Sequence, residues 1–573
     1  MKRVLTVILA CLLLLCSIGC SGPERQKGKV KLSFWAGISE ANQEAYTQAI
    51  QEFQKQNPDI IVRLVPQSSD FSSDLSGALR GNSPPDIVMV EDRYFKRYVS
   101  EGYLTKLDDF ISGSDGLALE DMFESLYTRF SYNAETGYSG QGQDYYAVPS
   151  GGVPSLIYYN VTQFNEQNIN IVSAAEKDLD SYNSQNNAQL LPHGYYVYDT
   201  APVPGMKAGA DGKYHVFNNR IPMNWDELIA LSRLFTRSCN PSSPSRYGFL
   251  NEWWFSFGWS VGGDCLEWDD TKDQYIFALG NDDPGYLVTG NGLTVNGTAY
   301  SAGEVLGYAD KRYVAEHKQE QDIAAAIADG TLYPLPSTRD AFAEFCRLSQ
   351  KTGKEVTAGK AGYGISPSPT TLGNNSKFTY FTTGEVAMVC DNLDTWQVGK
   401  NMEVLGKEWD VAPLYQYREY NADGTLKTVN GTPVTGLQGT HSISYGYAVP
   451  ANSKNQEAAW KFIRFMAGEE GQSIMMKSGT IVPNQKALAR SEAYLTDGGG
   501  YSPANKSVLV DMIEIGHVGD WSYVEDGEWV NVWANILNTK VRDGDMTLDE
   551  FFENSTVKST DDVLKKYRAK KYR

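Results

Sequence analysis

From Val30 onward the chain is built from short alternations of apolar and polar positions. Val30 to Trp35 reads Val-Lys-Leu-Ser-Phe-Trp, the period of two expected of a strand with one buried face, and Gly37 breaks it. Ala45, Ala49, Ile50 and Phe53 then recur at helical spacing until Asn57-Pro58 stops the helix. Ile60 to Val65 supplies a second strand, and a further helix is expected around Leu75 to Leu79. Pro84-Pro85-Asp86 then introduces Ile87 to Val90, which is wholly apolar and so reads as a strand buried on both faces. The order strand, helix, strand, helix, strand predicts a parallel sheet with right-handed crossovers.

Further along, Ala147-Val148-Pro149 and Ser155 to Asn160 are strand-like pieces around a Gly-containing bend. Trp225 opens a helix with Asn224 as its cap, and helices are expected over 339–350, 458–466 and 471–476, with an amphipathic terminal helix over 561–571. Asn430-Gly431 marks a hairpin or loop, and 284–336 reads as an insertion with turns of its own. With 573 residues the chain has room for two to four domains.

Composition narrows the chemistry. Lys and Arg total 51 against 70 Asp and Glu, a net charge of −19, which argues against a nucleic-acid partner. Aromatics make up 12%, with 35 Tyr and 12 Trp, a composition suited to an uncharged ligand that stacks on rings, carbohydrate first. Rings fill cores as well, so composition alone leaves both readings open. The motifs of metalloproteases, serine hydrolases and P-loop proteins are missing, and five scattered His form no cluster, so neither a cofactor nor a metal is expected. Asp269, Thr271 and Asp273 resemble part of a calcium loop, but Gln274 stands where that loop needs Gly, and a polar turn is the better reading.

The first residues carry an address. Lys2 and Arg3 precede the apolar run Val7 to Cys16, the layout of a signal peptide over 1–19 and too short to span a bilayer. Ser17-Ile18-Gly19-Cys20-Ser21 resembles the lipobox of bacterial lipoproteins, which implies a lipid on Cys20 and a membrane-anchored tether over 20–29; cleavage and free secretion is the alternative. Cys239, Cys265, Cys346 and Cys390 have irregular spacings; Cys239 and Cys265 could bridge, or remain free thiols.

Several fragments, in order, resemble the family 1 extracellular solute-binding proteins that serve ABC importers. They include Leu32-Ser33-Phe34-Trp35, Phe53 to Ile60, Pro85-Asp86-Ile87-Val88, Gly102 to Leu107, Tyr146-Ala147-Val148-Pro149, Phe381 to Met388 with its Gly-Glu-x-Ala-Met core, and Tyr447-Ala448-Val449-Pro450. The resemblance implies an α/β, two-lobed periplasmic-binding-protein-like fold of type II, with the ligand in the cleft between lobes. It places lobe 1 at 30–149 and 384–449 and lobe 2 at 150–383 and 450–573, with crossovers near 150, 383 and 449. It also implies a monomeric receptor that passes a sugar to an ABC permease without chemistry of its own.

A neutral sugar needs planar polar groups at its edges and rings against its faces. Glu91, Asp92 and Arg93 offer such groups at a strand end, and Asp92-Arg93 matches a sugar-binding pair of the family. Trp253, Trp254 and Trp259 crowd one ring-rich loop, and Trp35 ends the first strand. The resemblance adds Ser39 and Glu40 as a polar contact loop and Asp391, Asn392, Asp394 and Trp396 as a second one. Trp396 matches one of two family Trp positions while Asp394 replaces the other, so the specificity differs from that for maltose. His441 and Tyr445, just before the third expected crossover, complete the set. Competing readings are a glycosidase using two of Glu91, Asp92, Asp391 and Asp394, and a surface glycan binder or sensor without a permease.

Overall fold

The computed structural model describes residues 28–67, 71–81, 83–251, 254–373, 376–496, 501 and 503–570. The signal peptide, Cys20, most of the tether, and Trp253 lie outside the described residues.

The elements that position the site are β1 (Val30–Gly37), α1 (Glu40–Gln56), β2 (Ile60–Gln67), α2 (Phe71–Arg80), β3 (Ile87–Glu91), α3 (Asp92–Ser100), β4 (Ala147–Pro154), β5 (Leu156–Asn160), α4 (Trp225–Leu234), β6 (Tyr247–Asn251), β7 (Val386–Asp391), α5 (Thr395–Val404), β8 (Trp409–Ala412), β9 (Thr440–Ala448), α6 (Gln456–Ala467) and β10 (Gly516–His517). The N-terminal pattern folds as its periodicity dictates. β1 pairs in parallel with β2, Val30 opposite Ile60, and with β3, Phe34 opposite Ile87. The sheet order is β2-β1-β3-β9-β10, and β4 pairs with β9 as well. Leu32 and Phe34 of β1, Val88 and Val90 of β3, and Phe53 of α1 bury their side chains in one core beside Phe462 and Ile463 of α6.

A second sheet runs β8-β5-β7-β6, with β7 antiparallel to β5 and parallel to β6. Its apolar faces feed a larger core that includes Phe249, Met388, Phe257 and Trp533. Gly384 explains part of the Gly-Glu-x-Ala-Met motif: it ends the helix Lys377–Thr383 at φ +84, a left-handed geometry that costs glycine little, and β7 follows, buried along its whole length.

These pairings move the lobe boundaries away from those expected. Residues 386–391 hydrogen-bond to β5 and β6, so β7 belongs to the second sheet and 383 is not a crossover. α6 packs in the first core, so the chain directly after 449 stays with the first sheet, while Val524, Trp529, Trp533 and the buried residues beyond them join the larger core, as expected of the second lobe. The chain changes sheet between β4 and β5, where Ser155 N–H donates to the His441 carbonyl at 2.7 Å, and again as it enters β9 at Thr440. The reason is strand pairing: a fully buried strand needs hydrogen-bonded neighbours on both edges, and β7 finds them in β5 and β6.

The helix at Trp225 is capped as its sequence suggests, Asn224 Oδ1 accepting from the Glu227 N–H at 2.8 Å. Asn430 and Gly431 form a two-residue hairpin turn at positive φ, between Thr428–Val429 and Thr432–Pro433. The insertion has a small core of its own, including Tyr286, Val288, Leu306 and Leu332. The terminal helix is shorter than expected, Thr560–Leu564, and an extended tail follows it. Cys239 and Cys265 are free thiols, one exposed and one buried.

Candidate functional site

Between the two sheets lies a cavity of about 480 Å³. Its first wall comes from the carboxyl ends of β1 and β3 and from α1: Gly37, Ile38, Ser39, Asn42, Tyr46 and Met89. Strand ends of a parallel sheet are where such crevices open. Its floor is Ser150 and Val153 of β4 with Ile443 and Tyr445 of β9, and Met475, Thr480 and Ile481 close one end. From the second lobe come Asn392, Asp394 and Gln397, on the loop after β7 and the first turn of α5.

Local structure fixes these groups. The Ser39 N–H donates to Asn42 Oδ1 at 2.8 Å, while Ser39 Oγ is buried without a hydrogen-bond partner. The Asn392 N–H donates to Asp391 Oδ1 at 2.9 Å, and the side-chain Nδ2 of Asn392 is buried without a hydrogen-bond partner. Asp394 caps α5, accepting from the Gln397 N–H at 3.1 Å, and burial lifts its carboxyl above the usual carboxylate range. Tyr46 donates its hydroxyl to the Met89 sulfur at 3.1 Å. An unpaired buried donor or acceptor costs roughly 1–3 kcal/mol, so Ser39 and Asn392, facing each other's lobes, are groups that a bound hydroxyl would satisfy.

Ser39, Asn392, Asp394 and Tyr445 are thus the expected residues that the fold brings to the cavity. The others are placed elsewhere. Asp92 is 4% exposed and ion-paired at 2.7 Å with Arg129, which is 2% exposed and also donates to the Ser442 carbonyl and hydroxyl. Burial raises the Asp92 carboxyl, against the pull of Arg129. Arg93 pairs with Glu91 at 3.2 Å and lies over the Tyr94 ring. Asp391 is buried against Lys377 at 3.1 Å. Glu40 is exposed and pairs with Lys400 of α5 at 2.8 Å, across the gap between lobes. Trp396 sits edge-on to Tyr501 with the Lys400 ammonium 4.6 Å from its ring centre, and Trp35 is half-buried against the first core.

The remaining rings gather in a separate, largely buried aromatic cluster. Phe255 stacks on Trp259 at 5.0 Å, Trp259 on His517 at 4.9 Å, and both His441 and Phe255 meet Trp521 edge-on. Trp254 packs between Phe255 and Trp533. Two acids adjoin the rings: Tyr523 donates to Asp264 at 2.8 Å, and burial, reinforced by the charge of Asp264, holds the Asp520 carboxyl well above its ordinary range. His441 is pushed down to about 3, chiefly by burial and then by Arg129 and Lys377. His441, Ile443 and Tyr445 alternate along β9, so one strand joins this cluster to the floor of the cavity.

Sequence reasoning missed Asn42, Tyr46, Ile443 and Gln397. Asn42 and Tyr46 stand one helical turn apart at the start of α1, and Ile443 is two residues before Tyr445, so periodicity carried from Ser39 and Tyr445 would have found them. Met475, Thr480 and Ile481 have no local signature; only the return of the chain to the first lobe brings them there.

The profile of the family described as bacterial extracellular solute-binding protein matches residues 37–473. No curated protein matches the chain. Among solved structures, the chain is similar to the ABC substrate-binding protein Lmo0181 from Listeria monocytogenes in complex with cycloalternan, at 15% identity and TM-score 0.56, over 94% of this chain and 99% of that one. It is similar to the cyclic alpha-maltosyl-1,6-maltose binding protein from Arthrobacter globiformis at 15% identity and TM-score 0.54, covering 94% and 100%. It is also similar to UgpB from Mycobacterium tuberculosis in complex with glycerophosphocholine, at 16% identity and TM-score 0.52, covering 94% and 99%. At these identities the likeness establishes a two-lobed binding-protein fold.

Proposed function

The chain belongs to the bacterial extracellular solute-binding protein family, and from that premise we propose that its solute is a neutral oligosaccharide, captured between the lobes and passed to an ABC importer. The observation that carries this reading is the cavity lining. Among its described residues it holds hydroxyls and amides from Ser39, Asn42, Ser150, Asn392, Gln397 and Thr480, a single carboxylate in Asp394, and neither Lys nor Arg. A phosphorylated or otherwise anionic solute would find no counter-charge there, whereas sugar hydroxyls find donors and acceptors, with Tyr46 and Tyr445 beside them. The relatives bound to cycloalternan and named for cyclic maltosyl-maltose support a glycan ligand.

Solute contacts to Ser39 on one side and Asn392 and Asp394 on the other are made together only when the lobes are shut, so binding holds the shut form, the form a permease reads. Hydrolysis by paired carboxylates is the weaker reading: Asp394 is the one acid in the lining, while Asp92, Asp391 and Glu91 are each ion-paired. A lipid on Cys20 would hold the receptor at the outer face of the membrane. Calorimetry of the purified protein against linear and cyclic glycans and glycerophosphodiesters tests the solute class. Heat from a glycan is the expected result, and heat from the phosphodiester alone overturns it.

A further inference from the structure

The C-terminal tail lies in both lobes at once. The helix Thr560–Leu564 is fixed to the second lobe: Leu564 and, beyond it, Ala569 are buried in the larger core, and Asp561 Oδ1 accepts from the Phe277 N–H at 2.8 Å. The tail then reaches a first-lobe loop that hangs from Phe130 and Tyr132, both buried in the first core. There the Lys570 N–H donates to the Gly137 carbonyl at 2.6 Å. The Lys570 ammonium turns back to Asp273 of the second lobe at 2.7 Å, on the turn between Leu266–Asp269 and Gln274–Phe277.

Glu525 ties the same region together. Its Oε1 accepts from the Arg568 N–H at 3.1 Å and from the Tyr132 hydroxyl of the first lobe at 3.2 Å. Two residues earlier, the Tyr523 carbonyl accepts from the ammonium of Lys96, a buried residue of α3, at 2.8 Å. Gly137 has φ +77, and a Cβ placed there would come within 2.4 Å of the Arg568 carbonyl oxygen. The loop is therefore shaped to accept the tail's backbone and would not accept it with a side chain in place.

We propose that residues 566–570 form a strap that couples the two lobes and biases the receptor toward its shut arrangement before any solute arrives. A receptor whose binding-competent form is only partly populated loses apparent affinity by that fraction, so the strap sets how much of the solute's binding energy closure consumes. The inference needs two hinged lobes and does not depend on what the solute is.

The test is the interlobe distance without solute. Nitroxide labels on native Cys239 and on Gln51→Cys, exposed positions of the second and first lobes, report it by pulsed electron resonance. The intact chain is expected to give one narrow distribution. A chain ending at Lys565, and the milder Lys570→Pro, which removes both the N–H to Gly137 and the ammonium to Asp273, are expected to shift it to longer, broader distances. Lys570→Pro touches no core side chain and stands if the truncated chain fails to fold. Unchanged distributions in Lys570→Pro, with circular dichroism and melting temperature retained, overturn the strap while leaving the solute reading to calorimetry.

Discussion

Two junctions in the molecule share a plan and differ in outcome. At one, the buried strand β3 runs into α3 and Asp92 opens the helix; at the other, β7 leads to α5 and Asp394 caps it. Both put an acid where a strand of one lobe hands over to a helix facing the other. Yet Asp92 is consumed by Arg129 from 37 residues away, while Asp394 spends one oxygen on its own helix and lines the cavity. Strand-end position brings an acid to the cleft side of a lobe, and its neighbour decides whether that acid holds the fold or meets a solute. The largest expected effect follows from this contrast. Asp92→Ala strands a buried guanidinium and should lower unfolding free energy by about 3–5 kcal/mol in chemical denaturation. Asp394→Asn keeps an amide oxygen for the cap and should change stability by less than about 0.5 kcal/mol. Similar losses at both sites would erase the distinction.

A pH titration of stability probes the ground between the two junctions, because Arg129 and Lys377, which hold Asp92 and Asp391, both bear on His441. The folded imidazole titrates near 3 and the unfolded one near 6.5. Between those values the unfolded chain takes up a proton that the folded chain refuses. Stability contributed by neutral His441 is complete above about pH 6.5 and drains away as pH falls toward 3, by up to about 1.4 kcal/mol per unit. His517 is shifted the same way, so His441→Gln should flatten the curve without levelling it. An unaltered slope in that variant would mean His441 is not shielded by the packing around it. On the solute side, Asn392→Ala removes a buried donor aimed at hydroxyls and should weaken glycan binding roughly 10-fold with stability nearly unchanged. Binding unaffected by Asn392→Ala would detach the second junction from recognition.

The contrast also shows what a sequence discloses. The N-terminal sheet was legible because β1, α1, β2 and β3 are local, each carrying its period in a few residues. The assignment of β7 was not, since a wholly buried strand has no polar face to show which sheet it joins; its partners β5 and β6 lie more than 130 residues upstream. The same limit governed the site. Ser39, Asn392 and Asp394 came from the family resemblance, but the type of Asp92 could not reveal an arginine folded onto it. The ring-rich loop was read as facing a ligand, and nothing in its sequence indicated that Trp254 would turn inward against Trp533.

The smallest effect belongs to the pair that spans the gap in full view of solvent. Glu40 stands at the first turn of α1 and Lys400 on α5, so their 2.8 Å contact exists only while the lobes are together. Glu40 is 73% exposed, and exposed pairs are worth about 0–1 kcal/mol after screening and side-chain entropy are counted. Lys400→Ala should therefore weaken solute binding by no more than about fivefold, and the difference from the parent should shrink as salt is raised. The same ammonium lies over the Trp396 ring, so Lys400→Met, which keeps an apolar stem on the indole, separates the charge from the packing. If Lys400→Met binds as weakly as Lys400→Ala, the interlobe charge matters; if it binds like the parent, the stem packed on Trp396 carries the effect and the charge adds nothing to closure.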